Sequence, residues 1–270
     1  MKKILIVLVS ILIIPLIILF IKNKSLEKED CFSNEFRYIT NYKKENLERY
    51  ILFRDKYSNL SLEDIVLRVN IGLDRPYYTN TKESNLLNKN YILVNKYIFL
   101  PESYIPYDLV PLDLKYSRSG MMLVKEAKVN FEKMYYAALK DGVTIRIVSS
   151  YRSFEYQTNL YNKYVETDGK EAADTYSARP GFSEHQTGLC VDIDDKVISY
   201  DNFSKSRSYL WMKKNSYKYG FIERYPKGKE DITGYSYEAW HYRYVGLEIA
   251  KYIHENNITF DEYFFLKIKE

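Results

Sequence analysis

The chain has 270 residues, 46% hydrophobic and 28% charged, a balance that excludes wholesale disorder and leaves room for one or two domains. Forty Lys and Arg against 36 Asp and Glu give a formal net charge of +4, too small and too scattered an excess to argue for a nucleic-acid partner. Two cysteines, Cys31 and Cys190, exclude both a disulfide scaffold and a zinc site of four thiolates.

Residues 4–21, ILIVLVSILIIPLIILFI, carry no charge and are bracketed by Lys2, Lys3, Lys22 and Lys24. As a helix this stretch rises about 27 Å, near the lower limit for a bilayer core. It shows no polar face, unlike a soluble core helix. It also exceeds the roughly 7–15 apolar residues of a cleavable signal peptide and lacks small residues at a cleavage site. One N-terminal transmembrane helix is therefore expected within residues 1–24, with a cleaved signal as the alternative. Basic residues on both flanks give only a weak lean toward a cytoplasmic N-terminus.

Residues 25–90 read as a stalk with a small helical segment, in which Ser61 caps a helix carrying Ile65, Val66 and Val69 on one face. Pro76 excludes helical geometry just before it, so that helix stops around Gly72. A strand-like run at 91–94 opens the main domain, assigned to 91–258, and residues 259–270 form a tail. Within it, Leu123, Ala127, Phe131, Met134 and Ala138 recur at helical spacing up to Gly142. Val143, Ile145 and Ile147 alternate as a half-buried strand. A helix is expected from Ser153 to Gly169 with Leu160, Tyr161 and Tyr164 inward, and another over 207–219, closed by Gly220. His254 ends a helix-like run and reads as structural. Helices interspersed with short strands indicate an α+β domain; periodicity does not give the strand order.

Chemistry concentrates in three segments. In the first, residues 183–192 (SEHQTGLCVD), Leu189, Val191 and Ile193 alternate with Cys190, Asp192 and Asp194. A strand therefore leaves the loop after Gly188, with Asp192 on the face of Cys190 and His185 folded back beside it. An imidazole and a carboxylate are both good zinc ligands, although a surface histidine and a solvated aspartate would look the same. The second segment, residues 238–244 (EAWHYRY), adds His241 and, three positions earlier, Glu238. Residues three apart face opposite sides of an ideal strand, so Glu238 reaches the site of His241 only from a loop or bulge. The alternative is an aromatic strand in which Glu238 pairs with Arg243. Together His185, Asp192 and His241 make a three-ligand zinc site with a fourth position open to water. Glu238, outside the ligand set, fits the general base. The third segment, residues 149–153 (SSYRS), places Arg152 at a strand-to-helix junction, as the fixed cation an oxyanion needs. Its bland alternative is a surface ion pair.

The pattern S-x-H-x-x-G-x-x-x-D, then E-x-W-H, with S-x-Y-R-S upstream, resembles the VanY-type zinc D-alanyl-D-alanine carboxypeptidases, within the larger group of VanX dipeptidases and LAS metallopeptidases. The likeness covers roughly residues 91–256 and takes in Lys218-Tyr219-Gly220-Phe221 and residues 224–228. Cys190 departs from it, standing where that family usually has alanine. The resemblance implies one zinc ion on His185, Asp192 and His241, Glu238 as catalytic base, and Arg152 stabilising the tetrahedral intermediate. It also implies that Gln157 and Ser183 hold the substrate's terminal D-residue or its carboxylate. The fold it implies is a compact α+β domain with a central antiparallel sheet flanked by helices. The substrate it implies is a peptidoglycan stem peptide ending in D-Ala. With the N-terminal anchor, the expectation is an extracytoplasmic, membrane-tethered carboxypeptidase. An L,D-carboxypeptidase acting on tetrapeptide stems and a non-catalytic wall-binding module are the alternatives. A serine penicillin-binding enzyme is excluded: the only S-x-x-K is residues 25–28, beside the membrane stretch, and K-T-G is absent.

Overall fold

The computed structural model describes residues 34–268. The transmembrane helix expected within 1–24, and Cys31, lie outside the described residues; among those described, no helix is long and apolar enough to cross a membrane. The chain divides into two units, residues 1–70 and 71–270.

In the first unit, α1 (Leu47–Lys56) and α2 (Leu62–Ile71) pack through Tyr50, Phe53, Ile65, Val66 and Val69 together with Phe36. The Ser61 hydroxyl accepts the Asp64 amide at 3.1 Å, so the expected cap forms. Residues 34–70 are thus a small packed helical unit.

The second unit starts with a parallel pair, β1 (Lys82–Glu83) and β2 (Ile98–Phe99). Of residues 91–94, expected as a strand, Tyr91 ends a 3-10 turn and the buried Ile92, Leu93 and Val94 run as irregular chain. The reason is visible in their carbonyls: Ile92 O accepts from Arg243 Nη2 at 2.8 Å and Val94 O from Arg224 Nη2 at 3.4 Å. Guanidinium groups take the place of a neighbouring strand. Next come the antiparallel β3 (Leu109–Pro111) and β4 (Met122–Val124), then α3 (Lys125–Lys140). Leu123 belongs to β4, so the helical spacing read from it begins one turn too early.

The central sheet is built from β5 (Arg146–Ser149), β6 (Cys190–Asp194), β7 (Phe221–Tyr225) and β8 (Glu238–Tyr244), in the order β5-β6-β8-β7 and antiparallel throughout. Between β5 and β6 lie α4 (Phe154–Asp168) and α5 (Lys170–Tyr176). Ser153 caps α4 through the Tyr156 amide at 3.1 Å and Gly169 ends it at φ 82°, both as the sequence indicated. The helix α6 (Arg207–Asn215) precedes β7, and the short α7 (Glu230–Thr233) precedes β8.

Alternation along the strands decides which face carries what. Val191, Ile193, Tyr242, Tyr244 and Phe221 turn to one face, where Ala127, Phe131, Met134 and Ala138 of α3 complete the main core. Cys190, Asp192, His241 and Arg243 turn to the other. A second cluster joins Ile222 and Val245 to α8 (Leu247–Asn256) and α9 (Phe260–Lys267). The segment expected as a C-terminal tail is therefore part of the unit. Thr259 and Glu262 form a reciprocal capping box, Phe260 is fully buried, and Asp261 bonds Arg224.

Candidate functional site

All seven residues singled out in the sequence line one cleft of about 840 Å³: Arg152, Gln157, Ser183, His185, Asp192, Glu238 and His241. Three short stretches of chain bring them together. The loop after α5 ends in a 3-10 turn, Glu184–Thr187, which Gly188 closes in the left-handed region at φ 65°. The left-handed backbone favours glycine, and a Cβ there would come 2.7 Å from Leu109 Cδ2, so a side chain at this position is strained. The turn delivers the chain into β6 with His185 lying back over the strand.

His185 Nδ1 lies 2.7 Å from the Ser150 carbonyl. That bond fixes the ring with Nδ1 protonated and turns the Nε2 lone pair toward Asp192, whose Oδ2 is 3.3 Å away. The register Asp192↔His241 puts His241 directly opposite on β8, with Nδ1 2.9 Å from Asp192 Oδ1. Asp192 thus stands between the two imidazoles. Glu238 Oε2 is 3.9 Å from His241 Nδ1. Their shared face requires the irregularity anticipated above: pairing runs Glu223↔Tyr242 and then Tyr225↔Glu238, with extra residues of β8 between. Arg243 does not pair with Glu238. Arg152 donates from Nη2 to Asp192 Oδ2 at 2.9 Å, while Nε and Nη2 hold Ser149 Oγ at 3.0 and 2.8 Å. It is not a surface ion pair, since Asp192 is buried. Gln157 commits its amide nitrogen to Ala178 O at 2.8 Å, leaving Oε1 buried without a hydrogen-bond partner. Ser183 is buried in the cleft wall. His254 is exposed and stacks on Tyr217 at 3.8 Å, apart from the cluster.

Two residues that sequence reasoning gave no role belong to this centre. Cys190 is fully buried, and its Sγ and the ring nitrogens of His185 and His241 lie within 4.8 Å of one another. Glu184 bonds Arg224 Nε at 2.8 Å and Arg243 Nη1 at 3.0 Å. Glu184 sits inside the first motif and was legible there as an acid beside a histidine; the two buried arginines carry no periodic signal.

The electrostatics fit a divalent cation. Burial alone would lower His185, yet the negative charges of Cys190 and Asp192 outweigh burial and Arg152 and carry it up to about 9. Burial likewise opposes His241, which the same neighbours drive well above its ordinary value. Asp192 is held well below the carboxylate range by the two imidazoles and Arg152 against the cost of burial. A buried cluster of Lewis-basic donors that draws positive charge this strongly has the chemistry of a metal centre. Glu238 differs. Burial pushes it up to about 7, the range of a general base at neutral pH.

Comparison with known proteins agrees with this geometry. The profile of the family described as VanY, D-alanyl-D-alanine carboxypeptidase, matches residues 120–247. A D-alanyl-D-alanine carboxypeptidase of Enterococcus faecalis is 36% identical over 182 residues, 64% of each chain. The matched stretches cover 66%, 64% and 62% of the lengths of three curated relatives, so the chain spans somewhat under two thirds of most of them. Among solved structures, the LdcB LD-carboxypeptidase superposes with a TM-score of 0.63 at 38% identity, covering 69% of this chain and 95% of that one. A vancomycin-resistance D,D-pentapeptidase VanY, solved as a mutant with Zn(II), gives 0.58 at 36% identity, covering 65% and 99%. The chain belongs to the VanY D-alanyl-D-alanine carboxypeptidase family.

Proposed function

We propose that this chain is a zinc-dependent carboxypeptidase that removes the terminal D-Ala from peptidoglycan stem peptides. The observation that carries the reading is the convergence of His185, Asp192 and His241 in one cleft with Glu238 beside them but outside the ligand set. Zinc in complex with the VanY relative supports the choice of ion. His185, Asp192 and His241 would hold it, since the oxygens of Asp192 lie 3.3 and 2.9 Å from the two imidazoles; Cys190, whose Sγ lies within 4.8 Å of the histidine nitrogens, is the rival third ligand. When bound, the ion supplies Lewis acidity, acidifying water and polarising the scissile carbonyl.

The remaining work falls to the protein's own groups. Ionised Glu238 takes the proton of the attacking water as its oxygen adds to the carbonyl carbon, and returns that proton to the departing amine as the C–N bond breaks. Arg152, braced by Ser149, supplies a fixed cation for the charge that develops on the carbonyl oxygen. The buried Oε1 of Gln157 is an acceptor, suited to a substrate N–H rather than to the terminal carboxylate. Ser183 supplies a hydroxyl to the same wall.

A D,D preference follows from the VanY relatives; the likeness to LdcB supports an L,D reading in which the same groups act on a tetrapeptide stem. Mass spectrometry of products from pentapeptide and tetrapeptide stems, with and without a chelator, tests both. The expected result is chelator-sensitive loss of one D-Ala from the pentapeptide; a chelator-insensitive reaction, or none, refutes the proposal. Residues 4–21 are proposed to tether the enzyme to the membrane with the catalytic unit outside. Release of the protein from membranes on deleting residues 1–24 is the expected outcome, and unchanged fractionation would contradict it.

A further inference from the structure

Lys96 is only 1% exposed, an unusual place for a lysine, and it takes no part in the steps assigned to Glu238 and Arg152. Its Nζ donates to Tyr78 Oη at 3.2 Å and to the Asp174 carbonyl, and stands 3.5 Å from the centre of the Tyr235 ring. The carboxylate of Asp174 is taken by Arg179, at 3.0 and 2.7 Å, and by the Tyr161 hydroxyl at 2.8 Å. Two oxygens and a π face thus receive the ammonium. An apolar side chain would fill the same space without the cost of burying a charge.

These partners converge on the chain that leads into Glu238. Asp174 and Thr175 lie in the last turn of α5, where backbone carbonyls run out of helical partners. Lys96 takes the Asp174 carbonyl, and the Ser236 amide takes that of Thr175 at 3.1 Å. Gly234 turns the chain at φ 73°, and a Cβ there would lie 3.0 Å from Lys96 Cγ, so the lysine stem packs directly on the turn. Tyr235 then lines the cleft with its ring 4.9 Å from that of Tyr225, and Glu238 follows at the start of β8.

We propose that Lys96, as an ammonium, is a positioning residue that clamps residues 234–237 onto the end of α5 and so fixes where Glu238 enters the cleft. The consequence for catalysis rests on the reading of Glu238 as base; the clamp itself does not. The groups facing Nζ are the phenols of Tyr77, Tyr78 and Tyr235, the acids Asp174 and Glu238, and the guanidinium of Arg179. Burial brings Lys96 down to about 7, with Asp174 and Glu238 acting upward and Arg179 downward. As pH rises through that value the positive charge is lost, and with it the attraction to the Tyr235 ring. The clamp therefore weakens on the alkaline side of neutrality.

The test compares the native full chain with Lys96→Met at equal zinc content. It reads kcat, KM, their pH dependence and backbone amide exchange across residues 234–238. Native kcat is expected to fall as pH rises above about 7. At the native pH optimum Lys96→Met is expected to lose about 10–100-fold in kcat with KM within about threefold, to lack the alkaline fall, and to exchange faster at 234–238. A native profile flat above neutrality overturns the inference. So does a Lys96→Met chain that loses stability alone, keeping native kcat, alkaline fall and exchange. If that variant fails to fold, Tyr78→Phe decides, because it removes one oxygen acceptor and keeps the ring 3.9 Å from the Arg179 guanidinium. Its alkaline fall is expected about 0.5 or more lower on the pH scale, and an unmoved fall contradicts the clamp. Should Glu238→Gln keep native activity, the base reading fails, and exchange at 234–238 in Lys96→Met still decides the clamp.

Discussion

Replacing Glu238 with glutamine changes one oxygen for an NH₂ and removes the only carboxylate of the centre that is neither beside an arginine nor assigned to the ligand set. Its Oε2 lies 3.9 Å from His241 Nδ1, at the end of β8 where the strand is irregular, so the amide fits the same volume. The variant keeps the fold and the zinc, and it loses the proton acceptor. General-base contributions of about 10²–10⁴-fold correspond to about 3–5 kcal/mol of barrier. The loss falls on kcat, with KM changed only a few-fold, because Glu238 acts on the water and not on the resting substrate. The pH profile adds an independent reading. The base works only when ionised, and burial raises it to about 7 in the metal-free protein. A bound cation favours the ionised form and pulls it lower. Activity of the native enzyme therefore falls with decreasing pH along an acid limb lying below 7, and the glutamine variant loses that limb. D-Ala release measured from pH 5 to 9 at equal zinc content checks both. A variant retaining kcat within about threefold, or one that loses its zinc, would refute the assignment of Glu238 as base.

Other outcomes follow from the same framework. Arg224→Met removes one arm of a fully buried ion network and leaves Asp261 and Glu184 partly uncompensated; the expected loss in chemical denaturation is about 3–5 kcal/mol. Burial raises Glu223 from the ordinary carboxylate value of 4.5 to about 7, against a hydrogen bond from Tyr209. The folded state then binds more protons than the unfolded between these values, so this group's contribution to stability falls as pH rises from 4.5 to 7. Glu223→Gln is expected to abolish that slope and to stabilise the protein at pH 8 by up to about 3 kcal/mol, read from denaturation curves across pH. D-Ala release is expected to resist penicillin and to stop on chelation, since the serine-enzyme motifs are absent; inhibition by penicillin alone would reverse that expectation.

What the sequence disclosed depended on how local the physics was. Ser153 and Gly169 delimit α4 because capping is decided within a turn. The alternation around Asp192 and the odd spacing of Glu238 and His241 foretold a shared face and a break in β8, since strand parity follows directly from residue count. Residues 91–94 misled for the complementary reason. They are apolar and buried like a strand, but their carbonyls answer to arginines about 130 and 151 positions away, which no local pattern reports. The same network hid the roles of Glu184 and of α9, whose Asp261 completes it. Alternation placed Cys190 on the face of Asp192; the pairing of β6 with β8 adds that its sulfur lies by both histidines.

The central claim is that His185, Asp192 and His241, rather than Cys190, hold a single zinc ion. Metal analysis of the native full-length chain beside its His241→Ala, Asp192→Ala and Cys190→Ala variants tests it directly. One zinc per chain in the native protein and in Cys190→Ala, with tight zinc lost from the other two, is the predicted result. Zinc retained by Asp192→Ala and lost from Cys190→Ala would contradict it.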